Sequence, residues 1–279
     1  MKKYEFTTKK SVDSVIEQLK LNGIAHIPGY LKKNVITNLN AEFERLLTEK
    51  LPCTSAQTKH PINVDGRAAR FNPWHSSADK EFATTTAVYK DPFMKEVSES
   101  YFSPHKYNLN EQVFITHELP SKVPILPWHI DRIQSLKFWF YLLDTTAKDG
   151  AFEYCPGTHW EGRYRAGYHM LRGVAVKDLP NDIQGMSIRN PVTVEANAGD
   201  LLIFDPDGFH RGSIVKPGGE RRVMRGHTYP KEGRRYEDKR FTPGWWLSSR
   251  FNLAKKYEKH GTRILGDAVK DDTLNRNAY

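Results

Sequence analysis

The spacing of apolar positions divides the chain into parts of different character. In "SVDSVIEQLKLNG", Val12, Val15, Ile16 and Leu19 recur at helical spacing and the run stops at Gly23. "KKNVITNLNAEFERLLTEK" repeats the pattern, with Val35, Leu39, Phe43 and Leu46–Leu47 on one face. These helices, over about 11–49, flank "IAHIPGYL", which reads as a short strand and turn. Residues 50–95 are rich in Pro, Ser, Thr and Asn with mixed signals, and predict a long loop with short elements of the kind that covers a site. From about 108 to 230 the pattern turns to β. "EQVFITHEL", "SLKFWFYLLD", "AFEYC", "PVTVEANAGDLLIF" and "RRVMRGHTY" are rich in β-branched and aromatic residues and bounded by Gly, Pro or Asp. Strand-like pieces with no regular helix between them predict an antiparallel sandwich or barrel rather than a βαβ sheet. Residues 231–279 carry 12 Lys/Arg against 7 Asp/Glu, with Trp245–Trp246. With no linker before it, this tail reads as a partly helical, basic extension of one domain spanning 1–279.

Charge and cysteine content narrow the setting. Lys and Arg outnumber Asp and Glu by 42 to 33, an excess that favours an acidic partner without bearing on fold. The excess is concentrated at 216–240, with nine Lys/Arg against four Asp/Glu. The densest apolar stretch, "FWFYLL" at 138–143, is too short to span a bilayer, and no apolar run follows the basic opening as it would in a signal peptide. Cys53 and Cys155 are too few for a disulfide framework. The expectation is a soluble, cytoplasmic protein in a reducing compartment, which also suits a ferrous centre. Nothing in the sequence sets the oligomeric state.

The candidate chemistry begins in "ILPWHIDRIQ". His129 and Asp131, separated by one apolar residue, can point to the same side of an extended segment. Such a pair is half a metal site, a catalytic dyad, or a chance spacing. Chance matters, because a second His-x-acid match, His159-Trp160-Glu161, follows a "CPGT" turn where a loop-ordering role is the plainer reading. Non-haem iron(II) oxygenases hold their metal with two histidines and one carboxylate, leaving other positions open. The best candidate for the second histidine is His210 in "GDLLIFDPDGFHRGS", 81 residues after His129. Asp205 and Asp207 lie close by, but "DPDG" is first of all turn chemistry. Eleven residues past His210 come Arg221 and Arg222. Alternation puts Arg221, Val223 and Arg225 on one face and Arg222, Met224 and Gly226 on the other, so only one of the paired arginines can face a pocket and grip a carboxylate.

In this order the motifs resemble the phytanoyl-CoA dioxygenase family of iron(II)- and 2-oxoglutarate-dependent oxygenases, over roughly residues 12–228. "LKLNGIAHIPGYL" resembles the family's N-terminal helix, glycine turn and strand, and "PWHID" its proximal metal motif. "FWFYLLDTTAKDGAFEYCPGTH" resembles the strand, acidic turn and proline-glycine-(Ser/Thr)-His segment. "AGDLLIFDPDGFHRG" and "ERRVM" resemble the distal histidine and the cosubstrate arginine. The resemblance implies a mainly β fold with flanking helices around a double-stranded β-helix, or jelly-roll, core. It implies His129, Asp131 and His210 as Fe(II) ligands and Arg221 as the partner of the distal carboxylate of 2-oxoglutarate, with Arg222 as the fallback. Trp139 falls where an aromatic often lines the cosubstrate pocket, and Gln112 where a glutamine or asparagine lies near it. Ile130 departs from the polar residue often found between the first two ligands. The retained Asp131 argues for hydroxylation, since related halogenases replace it with Gly or Ala.

The implied activity consumes O2 and 2-oxoglutarate, releases succinate and CO2, and hydroxylates an unactivated C–H of a small, anionic molecule. Two alternatives remain open. Nucleic-acid demethylases of the same chemistry usually carry a second arginine six residues after the first. Here those positions hold His227 and Thr228, which makes nucleic acid a poor fit. A jelly-roll binding module without turnover is the other.

Overall fold

The computed structural model describes residues 3–57, 66–103, 106–109, 113–122, 124, 126–131, 135–163, 188 and 190–230. The readings made for Gln112 and for 231–279 lie outside the described residues. Helix α1 (Val12–Asn22) buries Val15, Ile16 and Leu19 and ends at Gly23, whose φ of 72° lets its N–H cap the Leu19 carbonyl. A Cβ there would also fall 2.4 Å from the Tyr154 hydroxyl, so backbone and packing both require glycine. Strand β1 (Ile24–Ile27) follows, and helix α2 (Lys33–Thr48) then buries Leu39, Phe43, Leu46 and Leu47.

Residues 50–95 are more regular than the sequence predicts. Strands β2 (Thr54–Gln57) and β3 (Gly66–Phe71) join the larger sheet. Helices α3 (Ala78–Glu81), α4 (Ala83–Tyr89) and α5 (Pro92–Phe102) contribute Ala78, Tyr89, Phe93 and Val97 to the core beside that sheet, with Phe82 between the first two. The start of α5 carries a local cap that the loop reading passed over. The Asp91 carboxylate accepts the Phe93 N–H at 2.9 Å and Pro92 occupies the first turn.

The remaining strands are β4 (Tyr107–Leu109), β5 (Val113–Glu118), β6 (Leu136–Tyr141), β7 (Phe152–Tyr154), β8 (Val192–Val194), β9 (Leu201–Phe204), β10 (His210–Gly212) and β11 (Arg221–Pro230). The larger sheet runs β1-β9-β6-β11-β5-β3-β2, with β4 also on β11, and the smaller runs β10-β7-β8. Every strand pairing is antiparallel. This is the expected mainly β, jelly-roll architecture with flanking helices. The runs "FWFY" and "LLIF" are apolar throughout because their strands are covered on both faces. Phe138, Phe140, Leu201, Ile203 and Met224 pack with the helices. Trp139, Tyr141, Leu202, Phe204 and Val223 turn the other way, to Phe152 and Tyr154 of the smaller sheet. The functional side chains sit in this second layer, between the sheets.

Candidate metal centre

His129, Asp131 and His210 come together, with one potential ligand atom from each inside a common 4.8 Å. Strand β10 carries His210, and an isolated antiparallel bridge pairs His129 with it through two backbone hydrogen bonds of 3.1 and 3.0 Å. A third, from the Asp131 N–H to the Pro206 carbonyl at 2.8 Å, ties the proximal motif to the turn before His210. The "HID" segment is thus held to the distal histidine by backbone alone. Ile130 points away into a small apolar cluster with Cys155 and Phe209, which accounts for an apolar residue between two ligands.

The side chains are in a state that could ligate a metal. Nδ1 of His129 lies 2.8 Å from the Pro127 carbonyl, and Nδ1 of His210 lies 2.8 Å from the Gly208 carbonyl. A carbonyl can only accept, so each Nδ1 carries the proton and each Nε2 presents its lone pair. These Nε2 atoms stand 3.8 and 3.7 Å from the same oxygen of Asp131, Oδ1. Burial pushes the pKa of both imidazoles down, that of His210 well below the ordinary value, with the neighbouring His129 and Lys137 adding to it. Both are therefore neutral at physiological pH, the form a metal takes. For Asp131 burial acts to raise the carboxyl, but Lys137 and the two histidines outweigh it and hold the group below the usual carboxylate range. Lys137 Nζ lies 2.6 Å from Oδ2, leaving Oδ1 turned toward the two Nε2 atoms.

Beneath the site lies a buried charge network. Asp205 and Asp207 are fully buried, and Arg163 is 2% exposed. Arg163 Nε donates to Asp207 at 3.0 Å, and its Nη2 pairs with Asp205 and with the Tyr101 hydroxyl. Tyr101 in turn donates to Asp205. Turn chemistry is present as well, with the Asp207 N–H on Asp205 Oδ1, but it is only half of what these carboxylates do. His159 is buried among α1, Tyr154 and Trp160 and is not one of the metal group. Burial holds its pKa well below the ordinary value.

Between the sheets lies the second part of the site. Arg221 is fully buried and faces inward, its Nε donating to Glu118 Oε2 at 2.5 Å. Arg222 faces the helices, 3.0 Å from Glu44 and 3.7 Å from Glu220, so the sheet separates it from the metal group. Trp139 faces inward against Phe152 and Phe204, with ring centroids at 4.8 and 5.4 Å. Three buried donors, Trp139 Nε1, Arg221 Nη1 and Arg225 Nε, have no hydrogen-bond partner among the described residues. Such atoms are costly unless something accepts from them. Lys137, Glu118, Arg163 and Tyr101 were not singled out from sequence. The basic stretch at 216–240 also changes meaning. Two of its arginines, Arg221 and Arg225, lie between the sheets, and Arg222 is paired, so this part of the charge is not a free basic surface.

Two facing antiparallel sheets that gather two histidines and one carboxylate define the class of jelly-roll proteins with a mononuclear metal centre. The chain belongs to the phytanoyl-CoA dioxygenase (PhyH) family, whose model matches residues 19–223. Solved structures share the fold. SnoN, a non-heme alpha ketoglutarate dependent epimerase from nogalamycin biosynthesis, is 17% identical with a TM-score of 0.53, over 78% of this chain and 80% of that one. SnoK, a carbocyclase of the same biosynthesis, is 15% identical with a TM-score of 0.54, over 82% and 90%. HygX from Streptomyces hygroscopicus, with nickel and 2-oxoglutarate bound, is 17% identical with a TM-score of 0.51, over 77% and 87%. No curated protein matches the sequence. No helix among the described residues is long and apolar enough to cross a membrane.

Proposed function

We propose that the protein is an Fe(II)- and 2-oxoglutarate-dependent dioxygenase that hydroxylates an unactivated C–H of a small anionic molecule. The observation that carries the reading is the convergence of two neutral Nε2 lone pairs and Asp131 Oδ1 beside a layer with buried, unpartnered donors. His129, Asp131 and His210 would hold the metal, a donor set suited to ferrous iron with open positions. Arg221 would hold the distal carboxylate of 2-oxoglutarate, and Trp139 would form an apolar wall of that pocket. Bound together, iron and 2-oxoglutarate supply the oxidising power, with O2 consumed and succinate and CO2 released as the substrate is oxidised.

The chain's own residues do the positioning. The Pro127 and Gly208 carbonyls fix the imidazole rings, and Lys137 restrains Asp131 to one free oxygen. Trp139, Phe152 and Phe204 keep water from the layer between the sheets. The anionic substrate rests on charge. Among the described residues that are not exposed, the inward-facing Lys137, Arg221 and Arg225 outnumber Asp131 and Glu118 by one. Ferrous iron and doubly charged 2-oxoglutarate cancel, so one positive charge remains for a substrate to neutralise. His227 stands in place of the second arginine of nucleic-acid demethylases, which supports a small molecule over a nucleic acid.

The test is anaerobic addition of Fe(II) and 2-oxoglutarate to the apoprotein, watching for the visible charge-transfer band of the chelate. The band is expected in the wild type and lost in Asp131→Ala and His210→Ala. A folded, iron-loaded wild type without a band would replace this reading with a binding module. Once a substrate is found by succinate release, a product heavier by one oxygen supports hydroxylation. An unchanged mass, or the loss of two hydrogens, would instead mean epimerisation or ring closure.

A further inference from the structure

The layer between the sheets holds a second inward arginine and a buried carboxylate that the proposed reaction does not yet use. Arg221 and Arg225 are four residues apart on one face of β11, so their backbones stand roughly 13 Å apart at the rise of an extended strand. Their guanidiniums nonetheless meet at one group. Glu118, directly opposite Arg221 on β5 and fully buried, takes Arg221 Nε on Oε2 and Arg225 Nη2 on Oε1, both at 2.5 Å. Thr116, on the same face of β5, donates to Glu118 Oε1 at 3.0 Å and accepts from Arg225 Nη2 at 2.5 Å. The Trp139 ring lies under Arg225, 4.6 Å from its central carbon. The long side chains are leaned together and clamped by one carboxylate.

Two features point to a ligand. Glu118 spends both its oxygens on the arginines and Thr116, yet Arg221 Nη1, Arg225 Nε and the nearby Trp139 Nε1 remain buried without a partner among the described residues. Two guanidiniums against one carboxylate also leave a single positive charge, enough for one further carboxylate. Gly212 makes room for the Arg221 guanidinium itself, since a Cβ there would come within 2.8 Å of Nη2. We infer that Arg225 is a second arginine of the 2-oxoglutarate pocket, sharing the distal carboxylate with Arg221 while Glu118 holds the pair together and sets its net charge. The inference rests on the cosubstrate reading above and adds to it a basis for selecting a dicarboxylate.

The experiment titrates the anaerobic Fe(II) protein with 2-oxoglutarate and, separately, with 2-oxopentanoate, which keeps the chelating end and the chain length but lacks the distal carboxylate. Binding is read from the charge-transfer band, without turnover. Arg225→Gln is expected to weaken 2-oxoglutarate at least tenfold and to leave 2-oxopentanoate within twofold, with the same outcome expected of Arg221→Gln. Arg225→Lys, which keeps the charge and so guards against loss of the fold, is expected to weaken 2-oxoglutarate several-fold with the same selectivity. Equal weakening of both acids would make Arg225 a structural partner of Glu118 and overturn the inference. So would a Kd for 2-oxoglutarate within twofold of wild type in either variant. A wild-type protein giving no band with either acid would instead refute the cosubstrate reading itself.

Discussion

Arg163→Met is the sharpest single test of how the metal site is built. The substitution keeps the length and apolar stem of the side chain and removes its charge. It leaves Asp205 and Asp207, both fully buried, without the guanidinium that pairs with each of them. Breaking a buried ion pair from one side typically costs about 3–5 kcal/mol, here a fall in Tm of roughly 6–20 °C for a protein of this size. The loss should depend on pH. Burial already pushes Asp205 up to about 6, with Asp207 adding to it and Arg163 opposing, and without Arg163 the carboxyl rises further. A carboxyl raised in the fold contributes stability when protonated and loses it as pH rises. The deficit of the variant against wild type should therefore be smallest near pH 5 and grow toward pH 8. It should grow by at most about 1.4 kcal/mol per unit per carboxylate. The same turn supplies the Pro206 carbonyl to the Asp131 N–H and the Gly208 carbonyl to His210 Nδ1. Iron affinity should thus fall about 10–100-fold, the usual range for a lost outer partner. Urea unfolding at several pH values and a competitive metal titration measure both effects. A deficit flat from pH 5 to 8, or an unchanged iron affinity in the folded variant, would refute the reasoning.

Three further outcomes are expected. The apoprotein should lose stability on acidification, because burial holds His159 and His210 well below their ordinary pKa and His227 down to about 3. The unfolded chain then takes up protons that the fold refuses below about pH 6.5, costing roughly 1.4 kcal/mol per histidine at pH 5.5, offset by under about 1 kcal/mol from Asp205. Urea midpoints at pH 7.5 and 5.5 check this, and equal midpoints would contradict it. Gly212→Ala should displace Arg221 and weaken 2-oxoglutarate about 10–100-fold, the scale of a hydrogen bond to a charged group, with iron affinity unchanged in the same titration. Lys137→Met should leave Asp131 Oδ2 without its cation and weaken iron about 10–100-fold, measured by competition with a chelator. Full retention of affinity would make that contact incidental.

How much of this was readable in the sequence depended on whether a signal was local. The helices before residue 49 and the strands after 108 were legible because each obeys one period over its whole length. The meeting of His129, Asp131 and His210 was legible because "HID" is a local pattern and His210 sits where a buried strand runs into a turn. The face of β11 was also legible, since alternation alone separates Arg221 and Arg225 from Arg222. What escaped was the partner of each buried charge. Glu118 closes "VFITHE" and meets an arginine 103 residues away. Arg163 reaches Asp205, 42 residues on. Lys137 interrupts the apolar "LKFWFY" and meets Asp131 only because the chain turns back beside the metal group. None of these distances has a period, because each is set by which strands the topology lays side by side.

The charges themselves nonetheless carried information. An ion cannot be buried alone without a cost of several kcal/mol. A single Lys, Glu or Arg on the inward face of a strand covered on both sides therefore announces an opposite charge somewhere in the same layer. Among the described residues, the inward strand positions that are not exposed offer Glu118, Lys137, Arg221 and Arg225, and the HID motif adds Asp131. That set could have been written down from alternation once the strands were known, and its surplus of one cation follows without any pairing. The sequence could thus state the charge that the layer between the sheets holds before showing which residues meet there. On the proposed reading, that charge, more than the basic stretch at 216–240, is the property a substrate and cosubstrate would match.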